Sequence, residues 1–275
     1  MENKNSTAIG FIGCGTMAQA IMRSLIKSGF SNLFGSDKRA EILSLVSDFA
    51  KTFENNQKVL ENSKYVFICV KPQDAEGVLT SLNFSSNNIP VSVMAGIPLS
   101  KMMKWTKTKK GVRVMPNLNA SIGQSHNAYC EKKLDKNEIA ELEAMLKTFG
   151  DTVNTNEKNM NAITGISGSG PAFTLRYIKG LLMEAQKHGF SPLEAVVTCT
   201  NMIKGTMGLV ADYTKETAPK KFPMLLKGLD ELVDSVCSKG GTTIEGIKHL
   251  DANNFSDTVQ KAAEKAIKRA EELSK

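Results

Sequence analysis

Short apolar runs alternate with amphipathic stretches through the first half of the chain, and amphipathic stretches alone fill the second. Residues 10–12, Gly-Phe-Ile, form an apolar run that stops at Gly13 and predicts a buried strand. Met17, Ile21, Leu25 and Ile26 then recur on one helical face, with Gly29 as a stop. Residues 32–35 predict a second strand, 40–50 a helix, and Asn55 with Asn56 a turn. Residues 65–70, YVFICV, are the clearest buried strand, and Lys71 and Pro72 end it abruptly. Residues 90–96 predict another strand, and 112–117 a strand and turn. Asp135 and Glu138 are spaced as a capping box for a helix running to Gly150, and 152–154 predict a last strand. Up to about residue 155 the pattern is therefore that of a doubly wound parallel sheet.

From Met160 onward no strand pattern recurs. Residues 165–171 read as a flexible turn with Pro171 at a helix start, and the helix runs to His188 and Gly189. Ser191, Pro192 and Glu194 form a second capping box, opening a helix to about Tyr213. Residues 222–236 predict a further helix. A glycine turn at 238–243 enters a helix carrying Ile244, Ile247 and Leu250, and Ser256 is the expected cap of the last helix. The division expected is 1–157, an α/β domain, and 158–275, an all-helical domain.

Composition narrows the function classes. Over 275 residues, 41% hydrophobic and 23% charged content is that of a globular protein. Aromatic residues are only 6%, which argues against stacking platforms for single-stranded nucleic acid. The net charge of +7 suits anionic ligands, and lysine-rich surfaces are also common in enzymes. Six basic side chains and Trp105 crowd residues 101–113, the segment open to a nucleic-acid reading; a solvated helix face is favoured. Cys14, Cys69, Cys130, Cys199 and Cys237 are scattered singly, which fits reduced thiols in a cytoplasm and not a disulfide framework or zinc site. His126, His188 and His249 lack metal-ligand spacing, so no metal is expected. The first eight residues are polar, so no signal peptide is expected, and no apolar run approaches a membrane span.

Candidate chemistry centres on the first glycine turn. Gly13, Gly15 and Ala18 give the spacing G-x-G-x-x-A between a strand and a helix, the layout of a dinucleotide-binding unit. Gly13 permits the tight turn, Gly15 lets a pyrophosphate approach the backbone, and the helix N-terminus faces the phosphates. About 20 residues on, Asp37 pulls toward NAD, while Ser36, Lys38 and Arg39 pull toward NADP; Asp37 is equally readable as a helix N-cap. Lys71 sits at the carboxyl end of a strand, where ligands bind in open sheets. In the second half, the Gly240, Gly241, Thr242, Thr243 turn offers backbone N–H groups and two hydroxyls to a carboxylate, or else simply joins two helices.

Together these segments resemble the pyrroline-5-carboxylate reductase family. The resemblance is carried by FIGCGTMAQAI (11–21), VFICVKP (66–72), VMAG (93–96), RVMPN (113–117), ITGISGSGPAF (163–173) and GGTTIEGI (240–247), in order along most of the chain. It implies an N-terminal Rossmann domain followed by a helical dimerisation domain. It also implies a homodimer that can assemble to a decamer, and reduction of (S)-1-pyrroline-5-carboxylate to L-proline by NADPH or NADH. By the same resemblance, Ile12, Gly13, Cys14, Gly15, Thr16 and Met17 bind pyrophosphate and adenosine. Asn56, Val70, Lys71 and Pro72 line the cofactor, with Ala95 and Gly96 near the nicotinamide. Gly240, Gly241, Thr242 and Thr243 hold the substrate carboxylate, the Thr243 hydroxyl lies near the ring nitrogen, and Ser167, Gly168, Ser169, Gly170 and Pro171 shape the pocket.

The chain departs from the family pattern at Lys239, where a proline is usual, and at Leu118 and Asn119, where Thr-Pro is usual. It also lacks a His-Pro near Gly228 and Leu229. Two rival readings remain at this level: a 3-hydroxyacid dehydrogenase-like oxidoreductase, which needs an acid–base lysine in the helical half, and a dinucleotide sensor binding DNA through residues 101–113.

Overall fold

The computed structural model describes residues 7–218 and 220–275; residues 1–6, on which the expectation of no signal peptide largely rests, lie outside the described residues. The chain divides into two compact units. One holds the residues up to Pro171 together with Ala263–Lys275, and the other is Ala172–Ala262.

The first unit is built on an eight-stranded sheet. Its strands are β1 (Ile9–Ile12), β2 (Leu33–Ser36), β3 (Lys51–Phe53), β4 (Tyr65–Ile68), β5 (Ile89–Ser92), β6 (Gly111–Met115), β7 (Ser125–Lys132) and β8 (Gly150–Asn154). They lie in the order β3-β2-β1-β4-β5-β6-β7-β8. Neighbours run parallel except β6 and β7, which are antiparallel. Every residue of β1, β4 and β5 is buried, which is why β1 and β4 read as unbroken apolar runs. Phe11 and Phe67, neighbours on β1 and β4, stack with ring centroids 5.0 Å apart.

The helices of the chain are α1 (Thr16–Lys27), α2 (Ala40–Ser44), α3 (Asn56–Glu61), α4 (Ala75–Thr80), α5 (Leu99–Thr106), α6 (Lys136–Leu146), α7 (Met160–Ile163), α8 (Gly170–Lys187), α9 (Pro192–Thr217), α10 (Phe222–Val236), α11 (Thr242–Ala252) and α12 (Phe255–Ser274). Helix α1 buries Ala18, Ile21, Met22 and Leu25. Each large aliphatic side chain so buried contributes about 1.5–3 kcal/mol relative to leaving it exposed.

Several elements differ from the sequence pattern. The helix expected over 40–50 shrinks to α2, after which the chain coils through turns. The hydroxyls of Ser44 and Ser47 donate to the carbonyls of Glu41 and Ser44, the local competition that weakens serine in helices. The turn at Asn55 and Asn56 is a helix start: Asn55 accepts from the Gln57 amide at 2.8 Å and caps α3. Strand β7 goes unforeseen because its sequence, SHNAYCEK, is largely polar at its ends. It is nonetheless buried at Ser125 and from Asn127 to Cys130. Strands β4 and β5 stop two and four residues short of the apolar runs that predict them. Residues 165–171 are no flexible turn. Thr164–Gly168 is a π-helical turn, continuous with α7 before it, and Pro171 is the second residue of α8. Ser256 lies inside α12, whose start follows Asn254. Arg113, grouped with a solvated face, is 2% exposed within β6.

The second unit is helical. Both residues of its predicted capping box bond reciprocally, Ser191 Oγ accepting from the Glu194 amide and the Glu194 carboxylate from the Ser191 amide. Gly228 of α10 lies so close to Tyr213 of α9 that a Cβ would sit 1.8 Å from its hydroxyl. Yet little of this unit is covered. Of helices α8 to α11, only Ala195, Cys199 and Gly228 are buried.

Candidate active site

Strand β1 is the point from which the sheet grows in both directions, to β2 on one side and β4 on the other. Open parallel sheets bind ligands beyond the carboxyl ends of strands at such a switch point. A cleft of about 880 Å³ lies there, lined by the end of β1 and by residues following β1, β2, β3 and β4. Among them are ten positions the sequence singles out: Ile12, Gly13, Gly15, Thr16, Asp37, Lys38, Arg39, Asn56, Val70 and Lys71.

The turn between β1 and α1 is shaped for close approach. Gly13 has φ +87°, and a Cβ there would meet the Cys69 carbonyl oxygen at 2.9 Å, so no other residue fits without strain. At Gly15 the situation is reversed: a Cβ would have no heavy atom within 4 Å, although the residue lines the cleft. Packing therefore does not demand glycine at that position. Helix α1 starts at Thr16 with no side chain capping its N-terminus from Gly15, which leaves backbone N–H groups to an anion. Lys71, after the end of β4, is exposed at the same cleft.

The four residues that carry the mixed signals after β2 are placed differently from one another. Ser36 is fully buried, its hydroxyl 2.7 Å from Asn56 Oδ1 and 3.4 Å from the Phe11 carbonyl, so it braces β2 against α3 and β1 and does not line the cleft. Asp37 accepts from the Cys14 amide at 3.0 Å, from the Arg39 amide at 3.1 Å, and from the Arg39 guanidinium at 3.0 and 3.2 Å. Burial pushes the Asp37 carboxyl up, and the bonds from Arg39 and Cys14 outweigh it, so the net shift is downward. Lys38 and Arg39 stay accessible, with side chains 83% and 49% exposed.

Other predicted positions are not among the residues lining the cleft. Cys14 is buried, its thiol pushed up to about 12 by desolvation and by Asp37, so it stays neutral and inert near pH 7. Met17 and Ala95 are half-buried against apolar clusters. Pro72 opens a short 3-10 turn. Gly96, with φ +76°, lies under α12: a Cβ would meet that of Leu273 at 2.4 Å. The cleft also includes Cys69, Gln73, Asp74, Gly77 and Val78, which the sequence reading missed. Gly77 had a legible signal, a small residue in the first turn of the helix after Lys71 and Pro72.

The π-helical turn carries Ser167 and Gly168, with Ser169, Gly170 and Pro171 following. Ser169 N donates to Thr164 O at 3.0 Å, and Gly168 rests on Met115. Asn117, buried at the end of the RVMPN motif, donates to the Ser167 carbonyl at 3.2 Å and lies 3.3 Å from its hydroxyl. In the second unit, Gly240 turns at φ +71° and Gly241 is the N-cap of α11, without a side-chain cap. Thr242 and Thr243 begin that helix, so the N–H groups of its first turn are available to a carboxylate. Among the described residues no group of three or more His, Cys, Asp or Glu is placed to hold a metal, and no helix is long and apolar enough to cross a membrane.

The chain is 33% identical over 269 residues to a pyrroline-5-carboxylate reductase of Aquifex aeolicus, a match covering 96% of this chain and 97% of that protein. The chain belongs to the pyrroline-5-carboxylate reductase family. An Arabidopsis thaliana pyrroline-5-carboxylate reductase is 31% identical over 98% of this chain and 96% of its own. The family's dimerisation region matches residues 157–273, and an F420-dependent NADP oxidoreductase model matches residues 8–96. Among solved structures, a Streptococcus pyogenes 1-pyrroline-5-carboxylate reductase aligns with TM-score 0.82 at 27% identity, over 98% of this chain and 99% of that one. The fold is shared also with a Plasmodium falciparum pyrroline carboxylate reductase, solved with NADP bound, at TM-score 0.84 and 24% identity over 98% and 99% of the two chains.

Proposed function

We infer that this chain reduces (S)-1-pyrroline-5-carboxylate to L-proline, with NADPH as the hydride donor. What supports the cofactor most is the cleft itself, where Gly15 is open to a pyrophosphate and the helix N-terminus is uncapped. Asp37 is saturated by Cys14 and Arg39, which leaves it poorly disposed to hold a ribose 2′-hydroxyl, while Lys38 and Arg39 offer exposed cations to a 2′-phosphate. NADPH is therefore the favoured form. When bound, it supplies the hydride that adds to C5 of the imine.

The protein has to hold the imine still and keep its nitrogen protonated, because an iminium accepts hydride far better than an imine. We assign the substrate carboxylate to the backbone N–H groups of Gly240, Gly241, Thr242 and Thr243. The Thr243 hydroxyl orients the ring nitrogen; with an alcohol's pKa it is not the acid on its own. Ser167, Gly168, Ser169, Gly170 and Pro171 shape the pocket, with Ser167 fixed by Asn117. Placement supplies most of the acceleration. The functional division at 157/158, assembly as a homo-oligomer with a decamer as its larger form, and a cytoplasmic site belong to the same proposal. The five free cysteines among the described residues suit a reducing compartment.

Spectrophotometric turnover of the imine with NADPH and NADH in parallel tests the reading. Expected is oxidation of both with NADPH preferred. Oxidation of 3-hydroxyacids without imine reduction would overturn it. Thr243→Ala should lower turnover and weaken imine binding together, and wild-type kinetics in that variant would remove Thr243 from the site.

A further inference from the structure

Behind the loop that follows β5 lies a chain of polar side chains anchored on a buried arginine. Arg113 of β6 is 2% exposed, and its Nη2 donates to Asn161 Oδ1 at 2.9 Å. Its Nη1 lies 3.7 Å from Glu157 Oε1, and its Nε finds no partner among the described residues. Asn161 Nδ2 donates onward to Ser274 Oγ at 3.0 Å. The Ser274 hydroxyl lies 2.6 Å from the Gly96 carbonyl and 2.9 Å from that of Ala270 in its own helix. Glu157 meanwhile accepts from the Leu99 amide. One guanidinium thus anchors two arms, and the arms reach the loop at Gly96 and at Leu99.

Packing closes the same loop from above. Gly96 takes φ +76°, and a Cβ there would meet Leu273 at 2.4 Å and the Ala270 carbonyl at 2.9 Å. Loop and helix are in contact with no room between them. Stability alone does not explain the polar part, since a buried cation costs several kcal/mol to desolvate and an apolar replacement often does as well. A hydrogen-bonded network anchored on a buried cation does, however, fix one geometry.

We propose that Ser274, held by Asn161 and Arg113, is a positioning residue for Gly96, so that this network sets where the nicotinamide end of the cofactor rests. The proposal rests on the function inferred above and on the family resemblance, which implies that Ala95 and Gly96 lie near the nicotinamide. Without the Ser274 hydroxyl, the Gly96 carbonyl loses its donor and the loop gains freedom at the point where the hydride must be aimed. The loss falls on the chemical step and not on imine binding.

The test is steady-state kinetics on the full chain with Ser274→Ala, using NADPH and its 4-deuterated form. Expected is a drop of about threefold to tenfold in kcat, with KM for the imine little changed. The primary isotope effect on kcat should rise, as hydride transfer becomes more rate-limiting, and Ser274→Thr should restore both. Asn161→Asp, which keeps the acceptor for Arg113 and removes the donor to Ser274, carries the same expectation if Ser274→Ala does not fold. Unchanged kcat and isotope effect in a folded variant would overturn the proposal. So would a fall in kcat that tracks lost thermal stability at constant isotope effect. A wild-type chain inert toward the imine removes the reading and the proposal together, whereas an active wild type with an indifferent variant removes the proposal alone.

Discussion

Asp37 holds the turn between β1 and α1 in place through the Cys14 amide, and it holds Arg39 at the cleft. Its pKa is lowered in the folded chain, so its contribution is fully present above the ordinary aspartate value near 4 and is lost as pH falls through the folded value. Asp37→Asn should therefore narrow the stability difference between neutral and acid pH, seen as thermal midpoints measured from pH 7 down to about pH 3. Gly15→Ala separates folding from binding at the neighbouring position. With no heavy atom within 4 Å of the added methyl, the melting temperature should hold, while KM for NADPH rises on the order of tenfold, one lost close contact of about 1.4 kcal/mol. The glycine spacing was legible because the turn it makes is written in the backbone. The part played by Ser36 was not, since a hydroxyl reads alike whether it meets phosphate or, as here, Asn56.

At the scale of elements, capping boxes were the most reliable signal. Asp135 accepts from the amides of Asn137 and Glu138 at 2.9 Å, and Glu138 returns a bond to the Asp135 amide. Asp135→Ala should cost about 1 kcal/mol, a fall of roughly 2–4 °C in melting temperature by calorimetry. Apolar runs gave β1, β4 and β5 because those strands are buried on both faces. They failed at β7, whose buried Ser125 accepts from the Asn117 amide and whose Asn127 Nδ2 donates to the Leu146 carbonyl, its Oδ1 finding no partner among the described residues. No local pattern announces such partners. The π-helical turn escaped for a related reason: three glycines within residues 165–170 look like a loop, yet a Cβ on Gly165 would collide with Ile267 of α12 at 2.4 Å. Close approach by a segment about a hundred residues away, and not looseness, explains that glycine.

The second unit, taken by itself, leaves large apolar side chains in the open. Phe222 is 77% exposed, Leu193 74%, Met207 59% and Leu209 56%. Exposed large apolar side chains in such number mark protein interaction surfaces, and this region matches the family's dimerisation model. Leu209→Asp on α9 should shift the assembly toward smaller species in analytical ultracentrifugation and lower activity with it. An unaltered sedimentation profile would place the interface elsewhere. The sequence showed the amphipathic helices but not their occupant, because the residues that cover a face belong to another part of the assembly.

Helix α12 starts in one unit and ends in the other, where Ala270 and Leu273 cover Gly96 and Ile267 covers Gly165. The nucleotide-binding half is consequently assembled from two distant stretches of chain. A fragment cut at residue 171 lacks the wedge that fills both glycine notches and should emerge from expression poorly soluble. A synthetic peptide spanning residues 255–275, supplied in trans, should recover its affinity for NADPH.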